Sequence, residues 1–124
     1  MNRKLSKAER LKGRLGFESL FDRGLVLKKF PLKLVHAPVS GVDTHLFGVS
    51  VPKRNISSAV ARNRIKRQIR EAYRLNKPPV AGHTEAMLFI YQSREVLPYA
   101  QIEKAMMALL NRFTQHASPT DEGL

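Results

Sequence analysis

Between residues 15 and 21, Phe17, Leu20 and Phe21 alternate with Leu15, Glu18, Ser19 and Asp22 at helical spacing. Gly24 is placed to end that helix at its C-terminus, where glycine is the favoured stop. Residues 25–36 form a strand candidate interrupted by Pro31, which suits an edge or a strand start better than a sheet centre. Pro38, Ser40, Gly41 and Asp43 mark a turn. Residues 44–51 then alternate, with His45, Phe47, Val49 and Val51 on one face and Leu46, Gly48 and Ser50 on the other, the pattern of a strand. Residues 52–57 read as a loop, and Ser57 or Ser58 can cap the helix that follows over 58–74. Lys77-Pro78-Pro79 stops it. Residues 86–91 are a short continuous apolar run, as in a buried strand, and another short strand is possible near 92–97. Pro98 opens a last helix with Ile102, Met106, Leu109 and Phe113 on one stripe and Ala105 and Leu110 beside it.

The element order is therefore α, β, β, α, β, α, which predicts an α+β fold with helices packed on a small sheet. A chain of 124 residues is long enough to bury a core of its own. We expect one domain over residues 1–117 and a loose polar tail over 118–124, since neither a repeat nor a linker divides the chain. Cysteine is absent, which removes disulfides, thiolate chemistry and the commonest structural zinc sites. This is consistent with a reducing cytoplasm. No stretch approaches the ~18 apolar residues that a membrane span needs. The basic residues 1–14 have no apolar segment behind them, unlike a secretory signal.

Charge changes the picture. The chain has 22 Lys and Arg against 10 Asp and Glu, a net charge of +12 and a pI near 10.6. Self-repulsion on that scale disfavours compaction, so a polyanionic partner is the natural reason to keep it. The imbalance is local: residues 1–77 hold 19 basic and 5 acidic side chains, while residues 78–124 hold 3 and 5.

The densest part of that charge lies on the helix over 58–74. At about 100° per residue, Ala61, Ile65, Ile69, Ala72 and Tyr73 fall on one side. Asn63, Lys66, Arg67, Arg70 and Arg74 fall on the other, with Arg62 and Arg64 on the flanks. An ordinary solvated helix face interleaves Glu with Lys to relieve repulsion. Here residues 53–74 carry eight basic side chains and one acid, Glu71, four residues after Arg67. Arginine predominates, and a planar guanidinium binds phosphate through two parallel hydrogen bonds. Charge and periodicity thus point to nucleic acid, and go no further.

The run Val60-Ala61-Arg62-Asn63-Arg64-Ile65-Lys66-Arg67-Gln68-Ile69-Arg70-Glu71 resembles the signature of the bacterial ribonuclease P protein component. The likeness extends upstream through Gly48-Val49-Ser50-Val51-Pro52-Lys53-Arg54, downstream to Tyr73-Arg74, and back to Phe17, Phe21 and Gly24, covering residues 11–113. Two positions depart from the family pattern: Ser57 stands where many members have Gly, and Tyr91-Gln92-Ser93 precede Arg94 where a basic residue often follows the strand directly.

The resemblance implies a two-layer α-β sandwich with a small mixed sheet, similar to the second domain of ribosomal protein S5. Its signature helix would lie in a left-handed βαβ crossover, against the usual right-handed rule. It implies a non-catalytic subunit of a ribonucleoprotein that removes the 5′ leader of precursor tRNA, with the chemistry performed by Mg²⁺ held mainly by the catalytic RNA. Lys53, Arg54, Arg62, Asn63, Arg64, Lys66, Arg67, Arg70 and Arg74 would contact that RNA. Phe17 and Phe21 would line a cleft for the single-stranded leader, since bases stack on aromatic faces without sequence demands. The partners would be the catalytic RNA and precursor tRNA, with neither a membrane nor an obligate protein partner. Without the resemblance, i,i+4 phenylalanines on a helix read as core.

Two other function classes compete. One is a ribosomal-protein-like RNA binder with no processing role. The other is a protein-only nuclease using His and Lys. Clustered carboxylates for Mg²⁺ are not apparent among the acidic residues, and His36, His45, His83 and His116 lack metal-ligand spacing. His36 and His45 flank a turn and are placed to approach one another across it.

Overall fold

A computed structural model of the chain describes residues 7–11, 13–80 and 82–117; the tail expected over 118–124 lies outside them. A short 3-10 turn (Lys7–Glu9) leads into α1 (Gly13–Arg23), β1 (Leu25–Lys29), β2 (Leu32–Val39), β3 (Leu46–Ser50), α2 (Ala59–Leu75), β4 (Thr84–Tyr91) and α3 (Tyr99–Ala117). The four strands form one sheet in the order β1-β2-β4-β3. Its β1–β2 and β2–β4 pairs are antiparallel, and β3–β4 is parallel. Parallel neighbours require a crossover, and α2 is that crossover.

Side chains alternate across the sheet, so β2, β3 and β4 each feed two clusters. Leu32, Leu34, Phe47, Met87, Phe89 and Tyr91 pack with α2 and α3 in the main core. Ala37, Val39, Leu46 and Ala86 pack with Leu20, Leu11 and Phe17 in a smaller one. The α3 stripe expected from the sequence is buried throughout: Ile102, Ala105, Met106, Leu109, Leu110 and Phe113 all belong to the main core. The sandwich has two layers over most of its area, and α1 adds a partial third against β2 and β4.

Three local expectations need correcting. The single interrupted strand over 25–36 is a hairpin, turning at Phe30 and Pro31 across a cis peptide bond, with Leu27 paired to Leu34. Pro31 does precede a strand start, as its missing N–H requires. Pro38 belongs to β2 and not to a turn. It is tolerated because β1 pairs no further along β2 than His36, so Pro38 has a neighbour only in Glu85 of β4. No strand forms over 92–97. The Tyr91 hydroxyl instead donates to the Glu95 carbonyl (2.6 Å) and accepts from the Leu97 N–H (3.2 Å), folding the segment over the end of β4.

Gly24 ends α1 as expected, for a different reason from backbone handedness. Its N–H donates to the Leu20 carbonyl at 3.1 Å, and any Cβ would collide with that same oxygen and lie 2.9 Å from Val35 Cγ1. Because Ile69 is fully buried, Ile69→Ala should lower stability by about 2–5 kcal/mol in a denaturant titration. Val60→Ala, at a position 80% exposed on the same helix, should stay within about 0.5 kcal/mol of the parent.

Candidate nucleic-acid interface

Ser58, not Ser57, caps α2. Its extended backbone (φ −74°, ψ 123°) lets its hydroxyl accept from the Ala61 N–H at 3.2 Å. Ile65, Ile69, Ala72 and Tyr73 are buried, with Ala61 packed at the edge of the same core. The Tyr73 ring stacks on Phe47 of β3 at 4.4 Å and 20°. Burial pushes the Tyr73 hydroxyl far above its ordinary pKa, with Glu9 adding to the shift, so it stays protonated. At the far end the Asn76 side chain donates to the Ala72 carbonyl (2.8 Å), and Lys77 pairs with Glu9 (2.8 Å). The helix is thus fastened along one side and at both ends.

The opposite side holds the expected cations. Asn63, Arg64, Arg67 and Arg70 are exposed, and Lys66 is half-buried. Lys53 and Arg54 are exposed on the turn that leads into the helix, where Pro52 accepts from the Asn55 and Ile56 N–H groups. Two other arginines are engaged within the protein. Arg62 donates through one nitrogen to the carbonyls of Ile56 (3.0 Å) and Ser57 (2.9 Å), bracing the loop ahead of the helix. Arg74 grips both oxygens of Glu71, at 3.1 and 2.5 Å. That hydrogen bond, more than the accompanying charge, holds the Glu71 carboxyl below its usual range. Glu71 therefore serves Arg74, not Arg67 four residues before it.

Phe17 and Phe21 lie on α1, on the other side of the sheet. Phe17 is half-buried against the smaller core, as are Val35 and Leu88. Phe21 is 86% exposed. Beyond Phe17 the same sheet face carries Lys28, Lys33, Ile90 and Ser50, none of them buried. Lys28 and Lys33 sit directly opposite one another in the β1–β2 ladder, a like-charge pairing that costs stability unless an anion relieves it. Sequence reading missed this pair because it becomes adjacent only when the hairpin closes. It also missed Arg10, which bridges to Phe47 on the β3 edge and lines a groove of about 530 Å³ together with Arg70.

His36, His45 and His83 do converge, in a largely buried structural cluster. His36 and His45 are 4% and 2% exposed, and both rings pack nearly perpendicular to that of Phe113. His36 Nδ1 lies 2.7 Å from one Glu85 oxygen and His83 Nε2 lies 3.2 Å from the other. His45 Nδ1 accepts from the Glu85 N–H (3.0 Å), which leaves its Nε2–H to donate to the Pro79 carbonyl (3.0 Å). Burial raises the Glu85 pKa, but hydrogen bonds and charge from His36 and then His83 outweigh it and leave the carboxyl below its ordinary value. Among the described residues no cluster of three or more such side chains is arranged to hold a metal ion. Among the same residues no helix is long and apolar enough to cross a membrane.

Fold and surface together define a small α+β domain whose cationic helix is held rigidly in a parallel βαβ crossover. A family model described as Ribonuclease P matches residues 5–114. The chain is 35% identical to the ribonuclease P protein component of Porphyromonas gingivalis strain W83 over 116 residues, 87% of this chain and 85% of that protein. It is 34% identical to the protein of the same description from Staphylococcus carnosus over 106 residues, 86% and 90% of the two chains. Its fold superposes on the RNase P protein of Staphylococcus aureus with a TM-score of 0.73 at 25% identity, covering 86% of this chain and 96% of that one. For the RNase P protein of Thermotoga maritima the TM-score is 0.68 at 26% identity, over 84% and 96%. The chain belongs to the bacterial ribonuclease P protein component family, as its signature helix implied.

Two outcomes follow. Arg62→Ala should cost about 1 kcal/mol in thermal or denaturant unfolding because it strips the loop of its brace, whereas Arg64→Ala should leave stability unchanged. Glu85 has a folded pKa below its unfolded value of 4.5, so it contributes stability above that value and loses it as pH falls through the lower, folded pKa. Glu85→Gln should be less stable near neutrality and should show a shallower stability loss below pH 4.5 than the parent in pH-dependent melts.

Proposed function

We propose that the chain is the protein subunit of a ribonuclease P ribonucleoprotein, binding its catalytic RNA through α2 and the 5′ leader of precursor tRNA across the sheet face beside α1. It thereby assists endonucleolytic removal of the leader. The observation that carries this reading is the rigid cationic side of α2, whose apolar side is buried in the core and cannot turn away. Lys53, Arg54, Asn63, Arg64, Lys66, Arg67 and Arg70 form the RNA contact, with Arg62 and Arg74 completing it while also bracing the fold.

The leader would run past Phe17 and Phe21, with Lys28 and Lys33 neutralising its phosphates. Mg²⁺ held mainly by the RNA would supply the hydrolytic chemistry. The engagement of Glu9, Glu71 and Glu85 by Lys77, Arg74 and two histidines is consistent with that division of labour. The cytoplasm, where precursor tRNA is processed, is the compartment this reading requires.

Reconstitution tests it. Precursor tRNA should be cleaved slowly by the catalytic RNA alone at low Mg²⁺, faster with the protein added, and not by the protein alone. Cleavage by the protein alone would mean a protein nuclease, and RNA binding without stimulation would mean a ribosomal-protein-like role. Replacing both Arg67 and Arg70 with Ala should weaken affinity for the catalytic RNA, with an unchanged melting temperature. The salt slope should fall by about 0.7–0.9 for each phosphate that is no longer neutralised. Phe21→Ala should weaken binding of long-leader substrate by about tenfold relative to mature tRNA, because a stacking surface for one base is removed. Equal weakening on both would remove the leader from that face.

A further inference from the structure

A groove of about 530 Å³ lies where the N-terminal segment meets the β3 edge and α2. Leu11, Phe47, Gly48 and Val49 line it, and its charged side chains are Arg10 and Arg70. Both arginines are exposed, and among the described residues neither has an ion-pair partner. Arg62, Arg74 and Arg112, by contrast, are engaged by carbonyls or a carboxylate of the protein. Two like charges brought to one acid-free groove raise its attraction for an anion. A guanidinium fork binds phosphate oxygens in pairs.

Arg10 is remote from α2 in sequence and reaches this groove because its neighbours on both sides are fastened. The Leu11 N–H donates to the Phe47 carbonyl at 2.8 Å, which lays residues 10 and 11 along the β3 edge. The Leu11 side chain is buried in the smaller core, and it fits there because residue 48 is glycine. A Cβ at Gly48 would lie 3.0 Å from Leu11 Cδ2 and 3.1 Å from Leu11 Cβ. On the other side of Arg10, the buried Glu9 carboxylate accepts from the Lys77 ammonium through both oxygens, at 3.1 and 2.8 Å. Lys77 follows the C-terminus of α2, so this pair ties the segment to the helix that carries Arg70. Arg10 thus sits between a residue bonded to the sheet and a residue bonded to the end of α2, with its own side chain left exposed.

We propose that Arg10 and Arg70 clamp one backbone phosphate of the catalytic RNA, and that the Glu9–Lys77 ion pair is the positioning device that holds Arg10 in place. The inference rests on the RNA-binding role proposed for α2 and extends that contact to a segment remote in sequence. Glu9 and Lys77 act through Arg10. The consequence runs against net charge: removing the negative charge of Glu9 weakens binding to a polyanion, because lost placement of Arg10 outweighs relieved repulsion.

The test measures affinity of the full chain for an in vitro transcribed bacterial ribonuclease P RNA by filter binding across a potassium chloride series, with the melting temperature of each variant alongside. Arg10→Ala should weaken binding by about tenfold and lower the salt slope by about 0.7–0.9, the share of one phosphate. Arg70→Ala should do the same, and the double variant should lose no more slope than either alone, since both arginines serve one group. Glu9→Gln should weaken binding by about threefold in the parent and have no effect in the Arg10→Ala background. Lys77→Gln breaks the pair from the other end and should follow the same pattern; it carries the comparison if Glu9→Gln melts within the assay range. Tighter binding by Glu9→Gln, or equal losses with and without Arg10, would overturn the positioning role. Salt slopes that fall twice in the double variant would overturn the shared phosphate. Unchanged affinity in Arg10→Ala would remove the clamp and leave the role of α2 standing, whereas failure of the parent to bind at low salt would count against both.

Discussion

Tyr73 stacked on Phe47, with Ile65, Ile69 and Ala72 sunk beside it, fastens a strongly cationic helix to the sheet. In isolation such a helix would be a poor one, because cations one turn apart repel and only Glu71 is available to relieve them. Burial of the opposite stripe supplies the missing stability, since full burial of each large apolar side chain is worth about 1.5–3 kcal/mol. The same burial prevents rotation about the helix axis. Asn63, Arg64, Arg67 and Arg70 are consequently displayed in a fixed pattern, which lowers the ordering cost of meeting an extended polyanion.

The sheet separates this surface from a second one. One face is closed by α2 and α3, while α1 closes only part of the other and leaves Lys28 and Lys33 uncovered past Phe17. The cluster of His36, His45, His83 and Glu85 consolidates β2, β4 and the segment after α2 against Phe113. Its histidines satisfy a buried carboxylate and a backbone N–H, and burial keeps His36 and His45 away from any substrate. Two distinct outer surfaces on one small domain suit a protein that must touch two nucleic acids, the reading proposed for this member of the ribonuclease P protein family.

Long periodic elements were legible in the residue pattern alone. The apolar stripes of α2 and α3 repeat over many turns, and the continuous apolar run of β4 marks a strand buried on both faces. The hairpin at Phe30 and Pro31 was not legible, because a proline inside an apolar stretch signals an interruption without saying that the chain reverses there. Nor could Pro38 be placed in β2, since its tolerance depends on how far β1 extends beside it.

The sequence by itself determined that α2 would have one apolar and one basic side, and the ordered Arg62-Asn63-Arg64 run was enough to indicate the family. Helical periodicity and residue order are local properties, readable from neighbours along the chain. Only the tertiary structure decided what each cation does. Arg62 is held by two loop carbonyls and Arg74 by Glu71, while Arg64, Arg67 and Arg70 stand exposed, although all lie on one short basic stretch. Only folding set Lys28 against Lys33 and brought Arg10 and Arg70 to the lining of one groove. Side-chain hydrogen bonds and cross-strand neighbours depend on distances that close when remote segments meet, and a linear pattern carries no record of them.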